Sequence, residues 1–100
     1  MKQRIFKLLP LILETSAQLG AYKVEIIPGV NDVRVIAYTE RGSREFMRLS
    51  KVNYPSLLLE VEDYIEREIT EFRIGDAAFR FSLSFFPSRY GDQVFIVFQK

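Results

Sequence analysis

Histidine and cysteine are absent from this chain of 100 residues. Without cysteine there are no disulfides and no thiol nucleophile. Without either residue the usual zinc sites are excluded, and so is the side chain best suited to proton transfer near neutral pH. Charge of one sign is also missing. Fourteen Lys and Arg against thirteen Asp and Glu leave a formal net charge of +1, so no field gathers nucleic acid or anionic lipid, and nucleic-acid binding is not expected. A long hydrophobic run is lacking as well. Lys2, Arg4 and Lys7 precede Leu8-Leu9-Pro10-Leu11-Ile12-Leu13 in the manner of a secretory leader, but Pro10 interrupts that stretch and Glu14 closes it. A membrane-spanning helix needs about twenty apolar residues. The chain therefore reads as cytoplasmic, with no membrane insertion.

What is present is apolar and aromatic. Hydrophobic residues make up 48%, with nine Phe and five Tyr. That supply offsets an ordering cost of roughly 1.5 kcal/mol per residue, so disorder is not expected. The length suits one domain over residues 1–100, in which roughly two thirds of the unfolded surface leaves water.

Periodicity divides the chain into eight elements. Pro10 suits the first turn of a helix, and Ile12, Leu13, Ser16, Ala17 and Leu19 follow at helical spacing until Gly20, with the residues before Pro10 read as a separate helical turn. Tyr22, Val24 and Ile26 alternate with Lys23 and Glu25 as a half-buried strand. Pro28 to Asp32 turns into a strand over Val33 to Tyr38, and Thr39 to Ser43 into a third strand marked by Phe46, Met47 and Leu49. Tyr54-Pro55-Ser56 opens a second helix, whose apolar stripe is read as Leu58, Val61, Ile65 and Ile69. Glu60, Glu62, Asp63, Glu66 and Arg67 form its solvated face.

Phe72 and Ile74 begin a strand that Gly75-Asp76 turns. Phe79, Phe81, Leu83 and Phe85 then alternate with Arg80, Ser82 and Ser84. Val94 to Phe98 is apolar throughout, which predicts a strand covered on both faces or central. The order α-β-β-β-α-β-β-β predicts an α+β fold, a mostly antiparallel sheet with two helices packed on one face. Phe81, Tyr22 and Phe46 are expected to point inward and Ser82 outward.

The candidate chemistry is sparse. Ser82 and Ser84 have no histidine partner, and the carboxylates of the second helix show no cleft that would hold two in different environments. Neither a catalytic residue nor a cofactor or metal site is expected. Pro87 and Gly91 read as turn formers, while Arg89 and Tyr90 at the tip of that turn, with Asp92 closing it, are side chains of the kind enriched in binding hot spots.

The order of elements and the Pro87-Ser88-Arg89-Tyr90-Gly91-Asp92 turn ahead of an apolar strand resemble the PAS-like domain that precedes the motor domain in the assembly ATPases of type II secretion and type IV pili. The resemblance runs from about Leu9 to Lys100 and includes Ala21 to Pro28 as the segment after the first helix and Val33 to Glu45 as the hairpin. No single motif in it is specific. Members carry an acidic residue followed by Ile-His-Ile-Glu where Lys23 to Ile27 stands here. They also carry nucleotide-reaching arginines at positions matching Ile36 and Ser82, and a longer acidic connection where Glu68 to Glu71 stands. Arg80 lies two residues from Ser82 on the same side and can replace part of a lost phosphate contact. No Gly-x-x-x-x-Gly-Lys-Ser/Thr loop occurs, so these residues do not form the motor.

The resemblance therefore implies a non-catalytic interaction domain that binds a motor domain, another copy of itself or an assembly component. Arg80, Arg89, Tyr90 and Asp92 are its candidate contact residues. The alternative is a small-molecule sensor or carrier of PAS-like shape, which predicts a ligand pocket.

Overall fold

The computed structural model describes residues 7–99. Lys2 and Arg4 of the leader-like stretch lie outside them. The first helix, α1, spans Leu8–Gln18. Leu8 and Leu9 therefore belong to the helix that Pro10 was expected to open, and Pro10 occupies its third position, still within the first turn where no N–H partner is lost. Lys7 offers no side-chain cap. Instead the Leu8 and Leu9 N–H groups donate to the two carboxylate oxygens of Glu60, at 3.0 and 3.2 Å. A negative charge at the positive end of the helix dipole satisfies two orphan donors at once. At the other end Gly20 takes φ +77° and the Ala21 N–H donates to the Ser16 carbonyl at 3.0 Å, a left-handed closure open to glycine without steric penalty.

Three strands follow: β1 (Lys23–Pro28), β2 (Asp32–Thr39) and β3 (Gly42–Ser50). A 3-10 turn over Lys51–Asn53 leads into α2 (Tyr54–Glu66), and the chain closes with β4 (Glu71–Ile74), β5 (Ala77–Phe86) and β6 (Gln93–Gln99). The six strands form one sheet in the order β3-β2-β1-β6-β5-β4, and every neighbouring pair is antiparallel. The architecture is α+β. Between Val35 and Ile36 the β2–β3 register shifts, so that Met47 faces Val35 and Glu45 faces Ile36. Phe46 is the extra residue of that bulge and is half-buried rather than fully inward.

One face of the sheet is buried under the helices. Val24, Ile26, Val33, Val35, Ala37, Phe81, Val94 and Ile96 meet Leu9, Ile12 and Leu13 of α1 and Leu57 and Val61 of α2. Phe81 is 1% exposed and Ser82 faces out, as the alternation in β5 requires. Two further expectations are corrected. The buried stripe of α2 is Tyr54, Leu57 and Val61, while Ile65 is 43% exposed and Ile69 lies in the connection to β4. Leu57, Leu58 and Leu59 are consecutive, so the pattern alone does not fix the helix phase, and burial of Tyr54 turns it by one residue, about 100°. Tyr22 is 48% exposed because it stands past the end of α1, where no helix covers the sheet. β6 is central in the sheet, as expected, and among the described residues the helices cover one of its faces, leaving Val97 43% exposed on the other.

Replacing Phe81 with Ala removes a fully buried ring and is expected to cost about 3–5 kcal/mol in urea unfolding, while Ser82→Ala should stay within about 0.5 kcal/mol of wild type. A larger effect at Ser82 than at Phe81 would mean that the register of β5 is off by one residue.

Candidate interaction site

The β5–β6 turn is held firmly. Within it the Ser88 hydroxyl donates to the Gly91 carbonyl, and Gly91 adopts φ +124°. A Cβ there would sit 3.7 Å from the Pro28 ring; the backbone conformation, more than space, asks for glycine. From α2 the Tyr54 hydroxyl donates to the Asp92 carbonyl. Burial of Tyr54 and the nearby Asp92 charge hold that hydroxyl well above the usual phenol range, so it remains a donor throughout ordinary pH. The Lys51 ammonium donates to the carbonyl of Gly29 and, at 2.6 Å, to that of Tyr90. Two backbone turns and one helix start are thereby tied together, and Arg89 and Tyr90 project from a fixed base, the guanidinium 5.6 Å from the Tyr90 ring.

Arg89, Tyr90 and Asp92 are thus brought together. Arg80 is not. It stands near the opposite end of β5, facing Gln99 of β6 and Glu71 of β4, and the six residues to Phe86 span about 20 Å of strand.

Next to the turn, on the sheet face that no helix covers among the described residues, Phe86 and Phe95 meet edge to face with centroids 4.8 Å apart. Phe86 is 52% exposed. Neither ring was singled out in the sequence, yet the period places both. Phe86 continues the outward set Arg80, Ser82, Ser84, and Phe95 alternates with the buried Val94 and Ile96. The signal was masked because Val94 to Phe98 is apolar at every position and reads as buried throughout.

Towards β1, β2 and β3 the same face carries Ile27 and Ile36 among polar groups that satisfy one another. Glu45 accepts from the Arg34 Nε at 2.6 Å and pairs with Arg48 at 3.0 Å, and Arg48 also reaches Asp32 at 3.4 Å. The hydrogen bonds from Arg34 and Arg48 hold the Glu45 carboxyl below its ordinary range. Lys23 pairs with Glu25 at 3.3 Å and lies 4.5 Å from the centre of the Tyr38 ring, while the Tyr38 hydroxyl donates to Glu25 at 3.0 Å. Burial and that bond raise the Tyr38 hydroxyl above the usual phenol range.

Ser82 and Ser84 stand opposite Val97 and Phe95, with apolar register partners rather than a base. Among the described residues no group of three or more carboxylates is placed to hold a metal ion, and no helix is long and apolar enough to cross a membrane. No protein-family model matches this sequence, and no curated protein matches it.

The pH dependence of the ion cluster has a defined sign. Because the folded Glu45 value is depressed, its stabilisation is complete above the unfolded carboxyl value of about 4.3 and disappears as pH falls through the folded value. Between pH 7 and 3 the urea midpoint of wild type should therefore drop further than that of Glu45→Gln, which starts lower. Equal drops would mean that the cluster contributes nothing to folding.

Proposed function

We propose that this chain is a non-catalytic protein-interaction domain of the type that precedes the motor in secretion and pilus assembly ATPases. It docks a motor domain of that class through Phe86, Phe95 and the Arg89–Tyr90 turn. The observation that carries this reading is the aromatic pair on the uncovered face of the sheet, continuous with a turn whose backbone is already fixed. Exposed aromatics beside an Arg and a Tyr are the side chains in which binding energy concentrates, and a preformed turn loses little entropy on binding. The lack of a phosphate loop and of paired acid and base groups supports a binding role over a catalytic one.

Sedimentation velocity of the chain mixed with a motor domain of that class should show a complex at roughly 10 µM, a strength ordinary for transient interfaces. Phe86→Ser and Tyr90→Ala should each weaken it at least about tenfold while leaving the circular dichroism of the folded chain unchanged. If the chain forms no complex, with the motor domain or with itself, at roughly 100 µM, the interaction reading fails.

A second reading, a small-molecule sensor or carrier, is supported by the cleft of about 660 Å³ between the end of α1 and the ends of β5 and β6, where Tyr22, Phe79 and Phe98 meet Arg41. That size falls in the range of ligand sites. In a thermal-shift screen of nucleotides and metabolites, a ligand at a hundred times its Kd adds about 2.7 kcal/mol of stability. A flat screen removes this second reading.

A further inference from the structure

The edge of the sheet beside β5 is only half closed. β5 runs ten residues and β4 four, and β4 pairs only with Ala77 to Arg80, extended by the Phe81 N–H donating to the Thr70 carbonyl at 2.9 Å. That last bond fixes which backbone groups face outward. In an antiparallel strand the N–H and C=O of one residue point the same way and alternate from residue to residue. Phe81, Leu83 and Phe85 therefore turn their backbone groups to the outer edge, while Ser82 and Ser84 bond inward to β6. The N–H and C=O of Leu83 and Phe85 have no backbone partner among the described residues. Such a row is a template for another strand.

In front of this row lies a cleft of about 490 Å³, walled by Tyr64 and Ile65 of α2, Ile69 and Thr70 of the connection, and Ser82 and Leu83 of β5. It lies in line with β4, where a longer β4 would have run. An added strand here would turn alternate side chains toward Tyr64, Ile65 and Ile69, which makes those positions apolar. The charge around the cleft is one-sided. From Glu60 to Glu71 there are six carboxylates and one guanidinium, in a chain whose overall charge is +1. Arg67 is held by Asp63 at 3.1 Å and Glu60 is occupied at the start of α1. Glu66 and the cleft-lining Glu68 have no ion-pair partner among the described residues. The C-terminal end of α2 adds its negative dipole, with no basic residue in the last turn.

We propose that the free edge of β5 from Ser82 to Phe86 binds an extended segment of a protein partner by strand addition, and that the side chains which the segment turns toward α2 are apolar opposite Tyr64, Ile65 and Ile69, with a lysine or arginine on that same side beside Glu66 and Glu68. Five residues of edge, about 16 Å, set its length. Main-chain bonds to Leu83 and Phe85 supply register, the cleft between β5 and α2 selects the apolar side chain, and the carboxylates select charge. This rests on the interaction reading above and names the surface and partner chemistry that would serve it.

The probe is a random octapeptide display library selected on the immobilised full chain, with the strongest binder then synthesised. Enriched sequences should place Lys or Arg two residues from an apolar residue, on the same side of the strand. Binding of the selected peptide should slow hydrogen exchange at the Leu83 and Phe85 amides at least tenfold and leave the β3 edge unchanged. N-methylation of the peptide at alternate residues should weaken it at least tenfold, as should the double variant Glu66→Lys, Glu68→Lys, both exposed positions whose replacement leaves the core intact. Enrichment of acidic or uncharged peptides, protection elsewhere than β5, indifference to N-methylation, or no enrichment overturns the proposal. If any of these occurs while the motor-domain complex still forms and still depends on Phe86, the edge assignment alone falls. If that complex is also absent, the interaction reading falls with it.

Discussion

Everything in this fold depends on β1 pairing with β6. The two strands meet over Lys23 to Ile26 and Val94 to Val97, with Val24 opposite Ile96 and Ile26 opposite Val94, all four fully buried. Apart from this ladder and the helices, the molecule is two three-stranded meanders, each with an exposed inner edge. The pairing also dictates where everything else goes. With β6 beside β1, β3 and β4 fall at opposite edges of the sheet, five strand spacings or about 24 Å apart. The chain between them has to cross that distance, and α2, thirteen residues long, covers about 20 Å. The helix therefore crosses the same face that α1 covers, and Glu60 reaches the start of α1 from it. Because the central ladder joins residues some seventy positions apart, closing it carries the loop entropy that slows sheets of high contact order.

The uncovered face and the free edge follow from the same economy. Two helices of eleven and thirteen residues cover one side of six strands, and among the described residues none covers the other. The open face answers this in two ways. Across β1, β2 and β3 it is carried by Arg34, Glu45, Arg48, Lys23, Glu25 and Tyr38, whose polar groups satisfy one another; on β5 and β6 it remains apolar at Phe86, Phe95 and Val97. The two outer strands differ similarly. β3 carries a bulge and alternating charges, devices that discourage pairing with another chain. β4 simply ends early and leaves half of β5 without a neighbour.

Much of this was legible in the sequence, and what was not has definite causes. The period of two in β5 assigned Phe81 and Ser82 to their faces, because a one-residue slip would invert every side chain. The Gly20, Gly75 and Gly91 turns punctuated the chain where it does turn. Helix phase was not readable where three leucines stand in a row, and the exposure of Tyr22 depends on where α1 ends rather than on the residue itself. Glu60 looked like one of several solvated acids; only the folded arrangement brings it to two backbone donors 51 and 52 positions away. The end of α2 was hidden differently. Glu68 takes the left-handed conformation at φ +54°, where glycine would be usual, so no glycine announced the turn. Of the candidate contact residues, the turn was visible through Pro87 and Gly91, but its aromatic neighbours were concealed by the uniform hydrophobicity of Val94 to Phe98. The separation of Arg80 from Arg89 follows from the length of β5.

One strand carries both surfaces assigned to binding, and its geometry explains how they cooperate. The outer edge of β5 presents the backbone of Leu83 and Phe85, and its uncovered face presents the side chains of Ser84 and Phe86. A segment added along the edge would lie about 4.8 Å from β5 and extend the uncovered face by one strand beside the Phe86–Phe95 pair. A partner that engaged the edge would then bury Phe86 from the side as well as from above. The anchors at the far end of that strand, Tyr54 on Asp92 and Lys51 on Gly29 and Tyr90, matter for the same reason. They fix the turn before any partner arrives, so that what remains to be ordered on binding lies chiefly in the partner.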